Sequence, residues 1–105
     1  MQALRLLASA GLVLAATLPA AAAAATHTVT IEGMKFVPET LTVKQGDRIV
    51  WNNKDVVPHT ATAAGAFDSR SIGSGRSWSF VAGKPGRHAY VCTFHPGMKA
   101  TLVVQ

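Results

Sequence analysis

Between His27 and Ile31 polar and apolar residues alternate, with Val29 and Ile31 on one face. The rhythm resumes after Pro38 with Leu41 and Val43, and again over Arg48–Trp51, where Ile49 and Trp51 share a side. His59–Ala63, Ser77–Val81 (Trp78 and Phe80 on one face), His88–Cys92 and Ala100–Val104 keep the same period of two. Gln45-Gly46-Asp47 and Gly83-Lys84-Pro85-Gly86 are turn signals, and Ser69–Gly75 is a loop rich in Ser and Gly. A period of two sends alternate side chains to opposite faces of a strand. Short strands this closely spaced predict an all-β fold, an antiparallel Greek-key sandwich or barrel. The segment after residue 25 shows no helical period, internal repeat or second domain, and it has no room for the crossovers of a parallel βαβ sheet. Trp51, Trp78, Phe67 and Phe80 are the core candidates, because aromatic side chains supply much of a small core's buried area.

The first 25 residues follow another rule. A short start carrying Arg5 leads into the apolar run Leu6–Leu18, then Pro19 and a block of alanines. That order predicts a secretory leader over residues 1–25, removed before Thr26, with Ala25 the alternative first residue. An uncleaved anchor is the competing reading, since ~20 apolar residues suffice to span a bilayer. The alanine-rich end and Pro19 favour removal, and no later segment is apolar enough to cross. The expected location is the periplasm, and the expected domain is 26–105. If processing follows Ala24, the chain begins Ala25-Thr26-His27. Its amine, two amides and imidazole could then form a square-planar Cu(II) site, although an ordinary terminal histidine is the simpler reading.

Charge and cysteine content narrow the function. Beyond the leader, nine Lys and Arg face five carboxylates, scattered rather than in runs and not interleaved with aromatics. This argues against a nucleic-acid partner and suits steering towards an acidic protein surface. No pair among Glu32, Glu39, Asp47, Asp55 and Asp68 suggests acid–base catalysis. Cys92 is the only cysteine, so no internal disulfide can support this small domain. A lone thiol in an exported chain is buried, paired with another chain, or held by a metal.

The metal reading gains from its neighbours. In Cys92-Thr93-Phe94-His95-Pro96-Gly97-Met98 a thiolate, an imidazole and a thioether recur at spacings of three. They fall between two strand-like runs, so a tight turn can aim all three at one point. His59, next to Pro58 at the start of another strand, is the candidate fourth donor. Two imidazoles, one thiolate and a weak thioether suit copper in an electron-transfer site. Zinc rarely takes a Met thioether, and catalytic metals keep a position open for water, which four protein donors would fill. Alone, each residue has a plainer role: Cys92 as a small hydrophobe, Met98 as core filler, His59 as a hydrogen-bonded histidine. His88 reads as structural or surface.

These residues resemble the cupredoxins, and among them amicyanin most, with pseudoazurin and plastocyanin more distant. The matching segments are Gly33-Met34-Lys35-Phe36, Leu41-Thr42-Val43-Lys44 with Gly46-Asp47, Trp51-Asn52-Asn53, Val57-Pro58-His59 and Cys92–Met98. The resemblance implies one Cu(I)/Cu(II) ion per chain. It implies Cys92 as the thiolate ligand, His59 as the buried imidazole, His95 as the ligand whose edge reaches solvent and Met98 as the axial ligand. Two positions depart from the pattern. Thr60 stands where an Asn commonly ties two loops together, and Gly97 is smaller than the residue amicyanin uses.

The expected function is a monomeric one-electron carrier, not an enzyme. It would dock redox protein partners through the edge of His95, with no membrane contact after processing. Pro58, Phe94, Pro96 and Met34 would form an apolar collar, and Lys35, Lys54 and Lys99 would guide an acidic partner. A copper buffer or delivery protein using the same donors is the alternative, and a metal-free structural sandwich is a third reading.

Overall fold

The structure, a computed structural model, describes residues 3, 8–15 and 23–105. Of the expected leader, residues 1, 2, 4–7 and 16–22 lie outside the described residues. Residues 8–15 are exposed and carry neither helix nor strand. Among the described residues no helix is long and apolar enough to cross a membrane.

Nine strands are present among the described residues: β1 (Thr26–Glu32), β2 (Lys35–Val37), β3 (Thr40–Val43), β4 (Arg48–Asn53), β5 (Thr62–Ala63), β6 (Phe67–Asp68), β7 (Ser77–Val81), β8 (Gly86–Cys92) and β9 (His95–Val104). One sheet runs β2-β1-β4-β7 and the other β3-β9-β8-β5-β6. The alternation read from the sequence is the alternation buried. Val29 and Ile31 of β1, Ile49, Trp51 and Asn53 of β4, and Met98, Ala100, Leu102 and Val104 of β9 all face inward.

The all-β sandwich is as expected, but its sheets are mixed rather than purely antiparallel. β1 pairs parallel with β4, Val29 opposite Trp51, and β3 pairs parallel with β9, Leu41 opposite Leu102. A parallel pair needs a crossover, which usually means a helix. Here the connection from β1 to β4 runs through β3 in the opposite sheet, so a chain too short for βαβ units still makes parallel pairs. The run His59–Ala63 yields only a two-residue strand. His59 instead forms an isolated bridge with Ile72, exchanging both backbone hydrogen bonds with it at 3.1 and 2.7 Å.

The core is aromatic. Trp51 lies against Phe67, Trp78 and Tyr90 at ring-centroid distances of 5.3, 5.4 and 5.6 Å. Phe36 meets Tyr90 edge-on at 4.8 Å. Trp51 and Phe67 are buried as expected, whereas Trp78 and Phe80 are only partly covered. Tyr90 and Phe36 join the core unanticipated. Burial pushes the Tyr90 phenol up to about 12. The β1–β2 turn is a two-residue hairpin whose central residues, Gly33 and Met34, both have φ near +60°, as a tight primed turn requires.

Candidate metal centre

The segment carrying Cys92, His95 and Met98 is shaped by a bulge. Val91 and Cys92 are adjacent on β8, but their partners on β9, Lys99 and His95, are four residues apart. Pro96, Gly97 and Met98 are therefore looped out of the ladder. A bulge of this kind re-aims side chains next to functional sites. Cys92 closes β8 and His95 opens β9, so these donors sit on strand ends, with only Thr93 and Phe94 between them. Cys92 is fully buried, Met98 nearly so, and His95 is half-buried.

His59 lies in the segment between β4 and β5, fixed by its bridge to Ile72. Its Nδ1 lies 3.6 Å from Cys92 Sγ, and its ring centroid is 5.3 Å from that of His95. The opposite ring nitrogen, Nε2, lies 2.8 Å from Asp55 Oδ2. An ionised carboxylate can only accept a hydrogen bond, so Nε2 carries the proton and the Nδ1 lone pair is left facing the sulfur. Asp55 is itself held by the hairpin turn: its carboxylate accepts from Gly33 N at 2.8 Å and Met34 N at 3.0 Å. The Met34 amide does most to keep the Asp55 carboxyl below the usual carboxylate range. Partial burial opposes that shift, and the Gly33 amide and His59 reinforce it.

Asn53, fully buried, fixes the loop between β4 and His59. Its Nδ2 donates to Val57 O and Ile72 O, both at 2.9 Å, and its Oδ1 accepts from Asp55 N. Thr60 ties this loop to the Cys92 segment. Its amide donates to Cys92 Sγ at 3.3 Å, its Oγ1 accepts from Thr93 N at 2.8 Å, and the Thr60 and Thr93 hydroxyls lie 3.1 Å apart. Thr62 Oγ1 extends the chain of hydroxyls, 3.0 Å from Thr60 Oγ1 and 3.1 Å from Asp68 Oδ1. Thr60 thus makes the cross-loop tie with its hydroxyl and its amide. The second departure, Gly97, has open space where a side chain would stand.

His59 and Cys92 face each other directly, and Met98 lies near both. His95 stands alongside His59, but among the described residues no three His, Cys, Asp or Glu side chains close into a ready-made cage. His88 lies apart, its Nε2 2.8 Å from Lys84 O. His27 is also remote from this centre, its Nε2 2.9 Å from Asp47 Oδ2. The sequence reading missed Asp55, Asn53 and Thr62 as supports. Asp55 stands four residues before His59, and metal-binding histidines commonly donate their second ring N–H to a carboxylate. That rule could have found it.

His59 Nδ1 and Cys92 Sγ stand as two ligands of a single ion would. With metal–nitrogen and metal–sulfur bonds of about 2.0 and 2.3 Å, two ligands of one ion stand roughly as far apart as the 3.6 Å between His59 Nδ1 and Cys92 Sγ. The buried thiol and the half-buried imidazole supply the soft and nitrogen donors that copper prefers.

Fold and centre together define a small two-sheet β protein with a sulfur–nitrogen site at one end. The chain belongs to the cupredoxin-like domain family, whose pattern it matches over residues 5–104. It is similar to amicyanin from Paracoccus versutus, 29% identical over 83 residues, covering 73% of this chain and 63% of that protein. Amicyanin-alpha from Methylorubrum extorquens is 30% identical, covering 73% of this chain and 70% of that protein. The chain thus spans less than two thirds of the Paracoccus versutus relative. Among solved structures it resembles the oxidized form of a methionine-to-leucine mutant of amicyanin, with a TM-score of 0.71 and 28% identity over 75% of this chain and 81% of that one. It also resembles the Cu(I) form of a methionine-to-alanine mutant of amicyanin, with a TM-score of 0.73 and 29% identity over 79% of this chain and 85% of that one.

Proposed function

We propose that this protein holds one copper ion through His59, Cys92, His95 and Met98 and acts as a one-electron carrier. The observation that carries the reading is His59, with Nε2 anchored on Asp55 and Nδ1 facing the Cys92 sulfur at 3.6 Å, in a chain similar to a protein solved in its Cu(I) form. Copper, when bound, supplies the Cu(I)/Cu(II) couple. The chain's own part is to keep the donors still. Asp55 sets the tautomer and tilt of His59, the Thr60 amide donates to the sulfur, and the Thr60–Thr93 tie keeps the two ligand-bearing segments in register. Donors held in this way reorganise little between oxidation states, which suits a carrier. Four protein donors leave no position for a substrate, which favours a carrier over an enzyme.

The decisive measurement is the absorption spectrum of the copper-loaded protein. Intense blue thiolate-to-copper absorption is expected, and Cys92→Ser abolishes it. A copper-loaded wild type without that band overturns the site. Slow electron exchange with ready copper transfer to an apo-acceptor would instead mark a copper buffer.

Partner docking belongs to the same reading. Around half-buried His95, Phe94 is 51% exposed, Met34 40% and Val57 38%; Pro58 and Pro96 are also exposed. These form an apolar rim suited to a brief redox encounter, of the kind that buries less than ~1,200 Å². Lys35 and Lys99 line a groove beside Met98 and would steer an acidic redox protein towards the rim. Lys99→Glu is expected to slow association with such a partner and to weaken its salt dependence; unchanged kinetics would remove the steering role. Export to the periplasm through the leader, and action as a monomer, complete the proposal.

A further inference from the structure

We propose that the leader is cut between Ala24 and Ala25, and that Asp47 is the binding site for the α-ammonium group this cut creates. The inference rests on the export proposed above, but on none of the copper ligands. The observation is the position of Ala25. Its N–H donates to Asp47 Oδ1 at 2.9 Å, and its carbonyl accepts from Arg48 N at 2.8 Å, extending the β1–β4 ladder one residue upstream of Thr26. Ala25 is thus the first residue hydrogen-bonded into the sandwich, one position before β1 begins. A cut before Thr26 would discard both bonds. A cut before Ala25 keeps both and satisfies the small-residue rule with Ala22 and Ala24.

The step is a hydrolysis by a leader peptidase. Water adds across the Ala24–Ala25 amide, Ala24 leaves with the carboxylate, and Ala25 keeps the nitrogen, which takes up a proton. The neutral donor on Asp47 Oδ1 then becomes a cation. Asp47 is prepared for it: the residue is buried, its Oδ2 holds His27 Nε2 at 2.9 Å and the Lys44 amide at 3.0 Å, and its pKa is lowered to about 2, by His27 first and the Ala25 amide next. The other charged side chains here are those of Lys44, which lines the same hollow, and of Arg48, next to Asp47 in the chain. Asp47 also engages Ala25 N, the first of the four nitrogens that a terminal Ala25-Thr26-His27 copper site would need.

The sign of the pH dependence is fixed. A carboxylate partner raises the amine's pKa above its ordinary value of about 7.7–8.0. The stabilisation is therefore complete below that value and lost as pH rises through the raised one.

The test begins with the full chain, leader included, expressed in a Gram-negative host and recovered from the periplasm for intact mass and N-terminal sequencing. The expected product starts at Ala25. A start at Thr26, or at any other residue, overturns the assignment; a retained leader overturns it together with the export reading, while a blue copper band in the same sample reports separately on the metal centre. A second arm compares melting temperatures of the Ala25 chain and of the same chain acetylated at Ala25, from pH 7.5 to 10. Acetylation keeps the N–H and the carbonyl and removes only the charge. The free-amine form is expected to melt several degrees higher at pH 7.5, with the gap closing towards pH 10. Equal melting temperatures, or a gap that does not change with pH, would show that Asp47 holds no ammonium.

Discussion

Thr60 and Gly97 show what a single position contributes. Asparagine can bridge two loops with both donor and acceptor atoms, whereas threonine has one hydroxyl. Thr60 nevertheless spans the gap, because the Thr93 amide comes to it and its own amide turns to the Cys92 sulfur. The departure was legible in the sequence; its remedy was not, since it depends on residues 33 positions apart. Gly97 is the opposite case, a small residue with nothing packed where a side chain would go and no left-handed backbone to require it. Gly97→Ala is expected to stabilise the fold by about 0.4–1 kcal/mol through a less flexible unfolded chain, read as a higher denaturation midpoint at unchanged m-value. A loss of stability there would mean that the loop needs glycine's freedom after all.

Among the elements, the β1–β2 hairpin and the β4-to-His59 loop act as one support. The turn amides of Gly33 and Met34 hold the Asp55 carboxylate, which holds the His59 ring. Met34 occupies a left-handed conformation that disfavours any side chain. The turn therefore gives up some stability to place that amide and to expose a methionine at the rim. Asp55→Ala removes the acceptor for His59 Nε2 and frees the ring to choose either tautomer. Copper affinity is expected to fall about 10–100-fold, measured by competition with a chelator; an unchanged affinity would make Asp55 a turn residue only. The hairpin's strands were partly visible as alternation, but its link to the metal centre was not, because nothing local connects a turn at residue 33 to a histidine at residue 59.

Across the molecule, one carboxylate joins the start of the sandwich to its β3–β4 turn. Asp47 accepts from Ala25, His27 and Lys44, and its carbonyl accepts from the Ala82 amide at 2.8 Å. Its folded-state pKa is depressed from 3.8 to about 2, so its contribution to stability is complete above about pH 4 and lost as pH falls towards 2. Asp47→Asn is therefore expected to lower stability near neutrality and to flatten the acid limb between pH 4 and 2, followed by thermal melting. A parallel acid limb in both proteins would rule out this role.

The period of two determined that the chain is a β sandwich and which faces of β1, β4 and β9 are inward, because burial follows alternation wherever one face meets the core. The cluster Cys92–Met98 announced a candidate metal centre because its donors lie within seven residues. Tertiary structure alone decided the rest. Parallel pairing depends on which sheet a connection crosses, and the bulge that turns Met98 inward depends on the register of β8 against β9. The facing of His59 and Cys92 and the carboxylate behind His59 are contacts between residues distant in sequence, set by packing that no local pattern encodes.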